Sequence, residues 1–310
     1  MDDQRAGESG QPGDGRGAPR VATAPVNWNN VDLAGTVPEV PYPDLLDEMV
    51  AAGYDATEIG GNFPTSPVTL HHDLLTRGMR LCGAFHSLPL IDDDRMRSRR
   101  PALSGLLKLL AGAGSKDVNF AIESTPERIA LAGHVPADGS AGLSAAEWAQ
   151  AGRNLAEAGE IAAAHGLRAH FHNHVGTFVE TPEEVERLVD ELTGDHVDLC
   201  FDGGHYAYGG GDPIAFVERH RDRIGYVHLK DVDPVVLRDA RVRELSFLDA
   251  LREFVFCELG QGMVDIPGMV QSLRNGGYTG WLVVEQDTTP RDPTVSARAN
   301  RAFLRERCGL

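Results

Sequence analysis

Short apolar runs recur along the chain from residue 21 onward, and segments whose apolar positions have helical spacing separate them. The runs are rich in Val, Ile and Leu and are bounded by Gly, Asp or Asn, which is typical of fully buried parallel strands. This pattern predicts eight strands, at 21–28, 55–59, 79–85, 117–122, 167–172, 197–202, 224–229 and 280–285.

The intervening segments predict helices at 43–52, 67–77, 101–111, 144–165, 182–192, 213–221, 267–275 and 294–307. Several have a proline near the first turn and a glycine after the last, as helix termini prefer. Regular alternation of strand and helix indicates βαβ units. Because no glycine-rich phosphate loop follows the first strand, we expect an α/β fold with one closed (β/α)8 TIM barrel, rather than an open doubly wound sheet.

The bulk composition is that of a single globular domain, which we place at 21–310. Of the 310 residues, 42% are hydrophobic and 24% are charged, enough for a large core. Residues 1–20 are rich in Gly, Asp, Arg and Pro and are predicted to be a disordered leader without a signal peptide. Four scattered cysteines without CxxC spacing favour a reduced, cytoplasmic protein.

Charge and apolar content also bear on possible partners. A net charge of −17 argues against nucleic acid, because phosphate binding needs a cationic surface. No apolar stretch approaches the roughly 20 residues that span a bilayer, so no membrane partner is expected. The basic cluster Arg95, Arg97, Arg99 and Arg100 is interpreted as a solvated loop, with a local anion site as the alternative.

Two connections are long, 123–143 and 231–265, and both follow the predicted carboxyl ends of strands. Long loops in a compact domain are usually functional. The second is expected to contain a short helix within 244–259.

Four predicted strands end on residues that can bind a divalent metal: His172, Asp202, His228 and Glu285. The carboxyl ends of barrel strands meet at one rim, where such barrels place their active sites. A single polar residue at a strand end is usually only a solvated side chain. Four at equivalent positions predict one metal site with two imidazole and two carboxylate ligands.

Further candidates for catalysis lie close to these strand ends. His205 follows Asp202 by three residues and is either an acid–base group or an ordinary helix-start histidine. Lys230 should share a strand face with His228, where it either polarises a substrate oxygen or forms an ion pair with Asp231 or another nearby acid. Glu58 precedes two glycines and suits hydroxyl binding or base catalysis, and His86 ends the third strand.

An aromatic wall with amide and imidazole donors would suit a polyol ring. Trp28 and Asn30 at the end of the first strand, and His174 beside His172, are therefore predicted to bind substrate. The alternative for Trp28 is a plug in the barrel mouth. His174 and Asn173 could also exchange roles with His172.

The chain resembles the sugar phosphate isomerase/epimerase superfamily, the xylose isomerase-like TIM barrels, and within it the inosose dehydratase branch. The similar stretches are VNWNNVD (26–32), AAGYDATEIGGNFP (51–64), HFHNHVGTFVETPEEVERL (170–188), DLCFDGGHYAYGGGDP (198–213), RDRIGYVHLKDV (221–232), SFLDAL (246–251) and GYTGWLVVEQD (277–287). The resemblance implies metal ligands from strands five to eight. His172 stands where the general pattern has glutamate. Two imidazoles favour Mn²⁺ or Co²⁺, with Zn²⁺ and Fe²⁺ as alternatives.

The resemblance also implies metal-dependent dehydration of a cyclic keto-polyol, such as 2-keto-myo-inositol, through an enediolate. Glu58 or His205 would be the base, and His205, His86 or Lys230 the acid. A keto-sugar isomerase or epimerase and a β-eliminating 3-keto-glycoside lyase are the alternatives on the same site. A barrel without activity that serves as an assembly partner is a further one, and a homo-oligomer is compatible with the sequence.

Overall fold

The computed structural model describes residues 17–33, 35, 38–191 and 196–310. Its strands are β1 (Arg20–Thr23), β2 (Ala56–Glu58), β3 (Arg80–Gly83), β4 (Phe85–Leu88), β5 (Asp117–Ile122), β6 (Arg168–His172), β7 (Val197–Asp202), β8 (Ile224–Leu229), β9 (Asp231–Val232), β10 (Phe256–Cys257) and β11 (Trp281–Val284). Its α-helices are α1 (Tyr42–Ala52), α2 (Pro67–Thr76), α3 (Asp93–Gly112), α4 (Pro126–Ala130), α5 (Ala145–Ala164), α6 (Pro182–Glu191), α7 (Gly203–Tyr208), α8 (Pro213–His220), α9 (Pro234–Val242), α10 (Phe247–Arg252), α11 (Ile266–Asn275) and α12 (Pro293–Cys308).

Nine parallel strands form the main sheet, in the order β3-β2-β1-β11-β8-β7-β6-β5-β4. The two ends of this order, β3 and β4, are consecutive in the chain and are separated only by Ala84. β3 pairs with β2, and β4 pairs with β5. β3 and β4 therefore act as one interrupted strand that closes the barrel. The predicted TIM barrel of eight staves surrounded by helices is confirmed.

Small side chains inside the barrel make room for two large aromatic rings. Ala22, Ala56 and Cys82 pack with Tyr226 and Trp281 in a cluster separate from the larger core between the strands and the helices. Since strand side chains alternate between two faces, the same strands supply both cores. At the carboxyl ends, the inward positions are taken by polar residues instead.

The long connections at this end have structure of their own. Residues 123–143 include α4, and residues 231–265 include α9, α10 and the antiparallel pair β9–β10. The short helix expected within 244–259 is α10. Asp231 fixes the second connection, because its carboxylate accepts hydrogen bonds from the backbone N–H groups of Gly260, Gly262 and Val264.

Two local predictions were wrong. β1 ends at Thr23 and not at residue 28, because a 3-10 helix, Pro25–Asn27, follows it. The helix expected at 101–111 already begins at Asp93, with the Asp92 side chain capping it at 3.0 Å from the Arg95 N–H. The arginines at 95, 97, 99 and 100 therefore lie in α3 and not in a loop. Packing of Met96 and Leu103 in the core holds this helix despite Pro101 in its interior.

Most of the predicted leader, residues 1–16, lies outside the described residues. Among those that are described, no helix has the length and apolar character needed to cross a bilayer. All four cysteines are free thiols.

Candidate metal centre

The four predicted ligands meet at the carboxyl rim of the barrel. His172 and Asp202 are the last residues of β6 and β7, His228 is the penultimate residue of β8, and Glu285 directly follows β11. Asp202 lies opposite His228 in the parallel ladder, which sets their side chains side by side. All four side chains are buried.

Their donor atoms form a compact group. His172 Nε2 is 2.9 Å from His228 Nδ1, and Glu285 Oε2 is 3.2 Å from the same Nδ1. Asp202 Oδ2 is 3.6 Å from the His172 nitrogen and 3.8 Å from that of His228. One atom from each residue lies within 4.8 Å of all the others. Four donors of these types at such separations can surround one divalent cation.

Two observations on these side chains fit a bound cation. Asp202 Oδ2 is buried and has no hydrogen-bond partner among the described residues, which is costly unless something else binds it. His228 Nε2 lies 3.1 Å from Glu58 Oε1, and a proton donated to this carboxylate would leave the Nδ1 lone pair free for a cation. A carboxylate behind a ligating histidine is the usual arrangement in metal sites.

Glu58 ends β2 and is part of a buried hydrogen-bond network. Its Oε1 accepts from Asn119 Nδ2 and from the Tyr226 hydroxyl, each at 2.9 Å, besides His228. Glu58 also lines the cavity described below. This carboxylate therefore orients a metal ligand and is also within reach of a bound molecule.

Lys230 lies at the centre of the polar cluster, with a side chain only 1% exposed. Its Nζ is 2.8 Å from Asp287 Oδ1, 3.0 Å from Glu285 Oε2 and 3.6 Å from Asp202 Oδ2. Burial alone would lower the pKa of Lys230, but the three carboxylates outweigh burial and raise it above the ordinary lysine value. Lys230 is therefore an ammonium. Its partner is not Asp231, whose carboxylate binds backbone amides.

The acids around Lys230 respond differently to burial. Burial alone would raise the pKa of both Asp202 and Glu285. The charge of Lys230 nevertheless holds the pKa of Asp202 below its ordinary value, and the charges of His228 and Lys230 do the same for Glu285. For Asp287, burial dominates and the like charge of Glu285 adds to it, which raises its pKa to about 7 against the effect of Lys230.

His205 lies behind the cavity wall. Asp202 Oδ1 accepts from its backbone N–H at 2.8 Å and so caps α7, while its Nε2 is 2.9 Å from Lys230 Nζ. Burial, followed by the charges of His174 and Lys230, holds the pKa of His205 well below the ordinary histidine value. His205 is thus neutral, and it is not among the described residues that line the cavity.

A cavity of about 440 Å³ opens over this cluster. The predicted substrate-binding residues Trp28, Asn30 and His174 line it. Trp28 Nε1 donates to Thr294 Oγ1 at 2.9 Å, Asn30 Nδ2 donates to the Asp287 carbonyl at 3.0 Å, and the His174 ring lies 3.9 Å from the His205 ring. These contacts fix the orientation of the three side chains in the cavity wall. The volume is in the range of small-molecule sites.

The structure does not bring His86 to this cavity. Phe85 lines the cavity wall, and His86 follows it on β4, so their side chains point to opposite faces of the strand. Burial lowers the pKa of His86, and Arg99 and Glu123 are the charges near it. We therefore leave His86 out of the reacting group.

Several residues of the site escaped the sequence reasoning. Asp287 lies two positions after Glu285, and Tyr226 two before His228, so the alternation of strand side chains could have indicated both. Asn119 lies in the middle of β5, where the sequence carries no sign of its bond to Glu58. The sequence indicates Asn173 only as a neighbour of His172, but its amide instead joins two strand ends by exchanging hydrogen bonds with the Asp202 backbone at 3.0 and 3.1 Å.

Comparisons with known proteins agree with this architecture. Residues 46–307 match the family described as xylose isomerase-like TIM barrel. The rhizopine catabolism protein MocC of Rhizobium meliloti is 38% identical over 271 residues, covering 87% of this chain and 82% of that protein. An inosose dehydratase of Yersinia enterocolitica is 30% identical over 298 residues, covering 94% and 98%.

Solved structures share the fold at low identity. The probable 3-DHS dehydratase AsbF of Bacillus anthracis has a TM-score of 0.72 at 14% identity, covering 92% of this chain and 98% of that one. The IolI protein with a bound zinc atom has a TM-score of 0.66 at 16% identity, covering 93% and 97%.

Proposed function

Because this chain belongs to the family of xylose isomerase-like TIM barrels, we propose that it is a metal-dependent dehydratase of a cyclic keto-polyol, such as 2-keto-myo-inositol. The similarity to proteins named inosose dehydratase supports this reaction class. The observation that carries the proposal is the four-residue donor cluster at the base of a cavity that an ammonium, Lys230, also lines.

His172, Asp202, His228 and Glu285 would hold the cation. Their two nitrogen and two oxygen donors suit Mn²⁺ or Co²⁺, with Zn²⁺ and Fe²⁺ as alternatives. When bound, a divalent cation supplies Lewis-acid polarisation of the substrate ketone, which acidifies the neighbouring C–H bond.

Glu58 is the best-placed base. It lines the cavity and lies outside the donor cluster, whereas His205 reaches the cavity only through Lys230 and His174. Glu58 takes the proton from the carbon next to the ketone, and the electron pair of that C–H bond moves into an enediolate.

Lys230 is the best-placed acid. As the enediolate collapses, the hydroxyl on the β-carbon leaves with the electron pair of its C–O bond and takes a proton from the Lys230 ammonium, so that water departs. The neutral ring of His205, 2.9 Å from Nζ, keeps this ammonium aimed at the cavity. Trp28, Asn30 and His174 would bind the remaining hydroxyls and the ring face.

The direct test is an anaerobic assay of the Mn²⁺- and Co²⁺-loaded protein with 2-keto-myo-inositol, in which the ultraviolet absorbance reports the cyclic dione. In parallel, deuterium uptake into the substrate from D₂O reports proton abstraction. Dione formation that depends on metal is expected. Proton exchange with an isomerised product and no dione would refute the dehydratase and favour the epimerase alternative. If the protein is inactive on 2-keto-myo-inositol but releases an alcohol from a 3-keto-glycoside, the β-eliminating lyase would be favoured.

A further inference from the structure

Asp287 has an unusual backbone conformation at the edge of the cavity. Its φ is +54°, in the left-handed region that residues other than glycine rarely adopt, and its side chain is buried. Asn30 holds this turn through the Asp287 carbonyl. Strained residues of this kind persist where the surroundings enforce them, often at functional sites.

The strained turn directs the Asp287 carboxylate at Lys230, with Oδ1 and Oδ2 at 2.8 and 3.1 Å from Nζ. The same Nζ is 3.0 Å from Glu285 Oε2 and 3.6 Å from Asp202 Oδ2. These two oxygens belong to the donor group proposed for the metal. A buried ammonium beside them would repel a divalent cation, because the interior screens charges weakly.

Three carboxylates lie near Lys230 Nζ, and Asp287 is the one outside the proposed donor group. It is 2.8 Å from Nζ, whereas the other two, Glu285 and Asp202, are proposed metal ligands. Without Asp287, Lys230 would draw on the negative charge of the metal ligands.

We propose that Asp287 is a positioning residue that sets the affinity for the divalent metal without touching it, by neutralising Lys230 and holding its ammonium beside the ligands. The inference rests on the metal site of the proposed function. The inference gives a functional reason for the strained turn at Asp287 after β11, which the proposed function alone does not explain.

The test is a metal titration of the apoprotein with Mn²⁺ or Co²⁺ alone, by calorimetry or competition with a chelating dye. Asp287→Asn keeps the shape of the side chain, and asparagine tolerates the left-handed backbone. We expect it to weaken metal binding by about 10- to 100-fold, the usual effect of losing a residue outside the ligand set. Adding Lys230→Met to this variant should bring the dissociation constant back to within a few-fold of the unmodified protein.

Two controls separate charge from folding. In Asp287→Gly the carboxylate is lost while glycine adopts positive φ without penalty, so it should weaken metal binding like Asp287→Asn when each variant is titrated well below its own melting temperature. Glu258→Gln removes a largely buried carboxylate that pairs with the half-exposed Arg291 and does not line the cavity, and it should leave the affinity unchanged.

The outcomes are distinguishable. If the unmodified protein binds one dication and Asp287→Asn binds it equally well, the inference is wrong and the metal site stands. The inference is also wrong if the double variant binds as weakly as Asp287→Asn alone, because the effect would then not act through Lys230. If the unmodified protein binds no dication, the metal site itself is wrong and the inference falls with it.

Discussion

Replacing Lys230 by methionine should separate the two proton transfers of the proposed reaction. Methionine keeps most of the side-chain volume and removes the ammonium that lies 2.8 Å from Asp287 and 2.9 Å from His205. If Lys230 only protonates the leaving hydroxyl, its loss blocks dehydration and leaves proton abstraction by Glu58 intact.

The magnitude follows from the role and the burial of this residue. Loss of a general acid typically lowers a rate by about 10²- to 10⁴-fold, or about 3–5 kcal/mol in activation free energy. Because Lys230 is 1% exposed, removing it also leaves buried carboxylates uncompensated, and the cost to folding should resemble that of a broken buried ion pair, roughly 3–5 kcal/mol, rather than a surface pair.

The assay compares dione formation with deuterium uptake by the substrate in D₂O, at saturating metal and well below the melting temperature. We expect dione formation to fall by about 10²- to 10⁴-fold and deuterium uptake to change by less than about tenfold. Lys108→Met, an exposed lysine on α3, serves as the control and should change neither. Equal loss of both activities in the Lys230 variant would refute the assignment of Lys230 as the acid for the leaving group.

Four other substitutions test the remaining parts of the site and the fold. Glu58→Gln should abolish both deuterium uptake and dione formation, by about 10²- to 10⁴-fold, since the base acts first; retained uptake would exclude Glu58. His172→Ala should weaken binding of the metal in a titration by more than the roughly 10- to 100-fold typical of an outer residue, and unchanged binding would show that it is not a ligand. Gly211→Ala places a Cβ 2.2 Å from the buried Tyr206 ring and should lower the free energy of unfolding in a denaturant titration by about 1–3 kcal/mol. Gly105→Ala, in open space within α3, should raise it by about 0.5–1 kcal/mol, and a similar loss at both positions would contradict the steric argument.

The periodic pattern predicted the strands well because buried parallel strands are continuous apolar runs. Its main failure was α3, where a polar N-terminal segment with four arginines, followed by Pro101, hides the first two turns of the helix. The Asp92 cap and the packing of Met96 hold that helix, and packing partners are distant in sequence. Tertiary contacts of this kind override local propensity.

Dependence on tertiary contacts also explains which residues of the site the sequence indicated and which it did not. The carboxyl ends of parallel strands meet at one rim, so His172 and its three partners could be placed together from their positions in the strands. The bond of Asn119 to Glu58 and the strained turn at Asp287 depend on which inward side chains meet across the barrel. The sequence did not indicate that the strand is interrupted at Ala84. This interruption determines which face of β4 each side chain occupies, and for that reason the sequence placed His86 at the site.

The measurement that tests the account most directly is the rate of dione formation from 2-keto-myo-inositol as a function of bound Mn²⁺ or Co²⁺, with metal content determined on the same sample. We expect the rate to rise in proportion to occupancy and to level off at one ion per chain. A full site with no dione would contradict the proposed dehydration. A rate that does not depend on occupancy, or a protein that binds no divalent metal, would contradict the metal centre formed by His172, Asp202, His228 and Glu285.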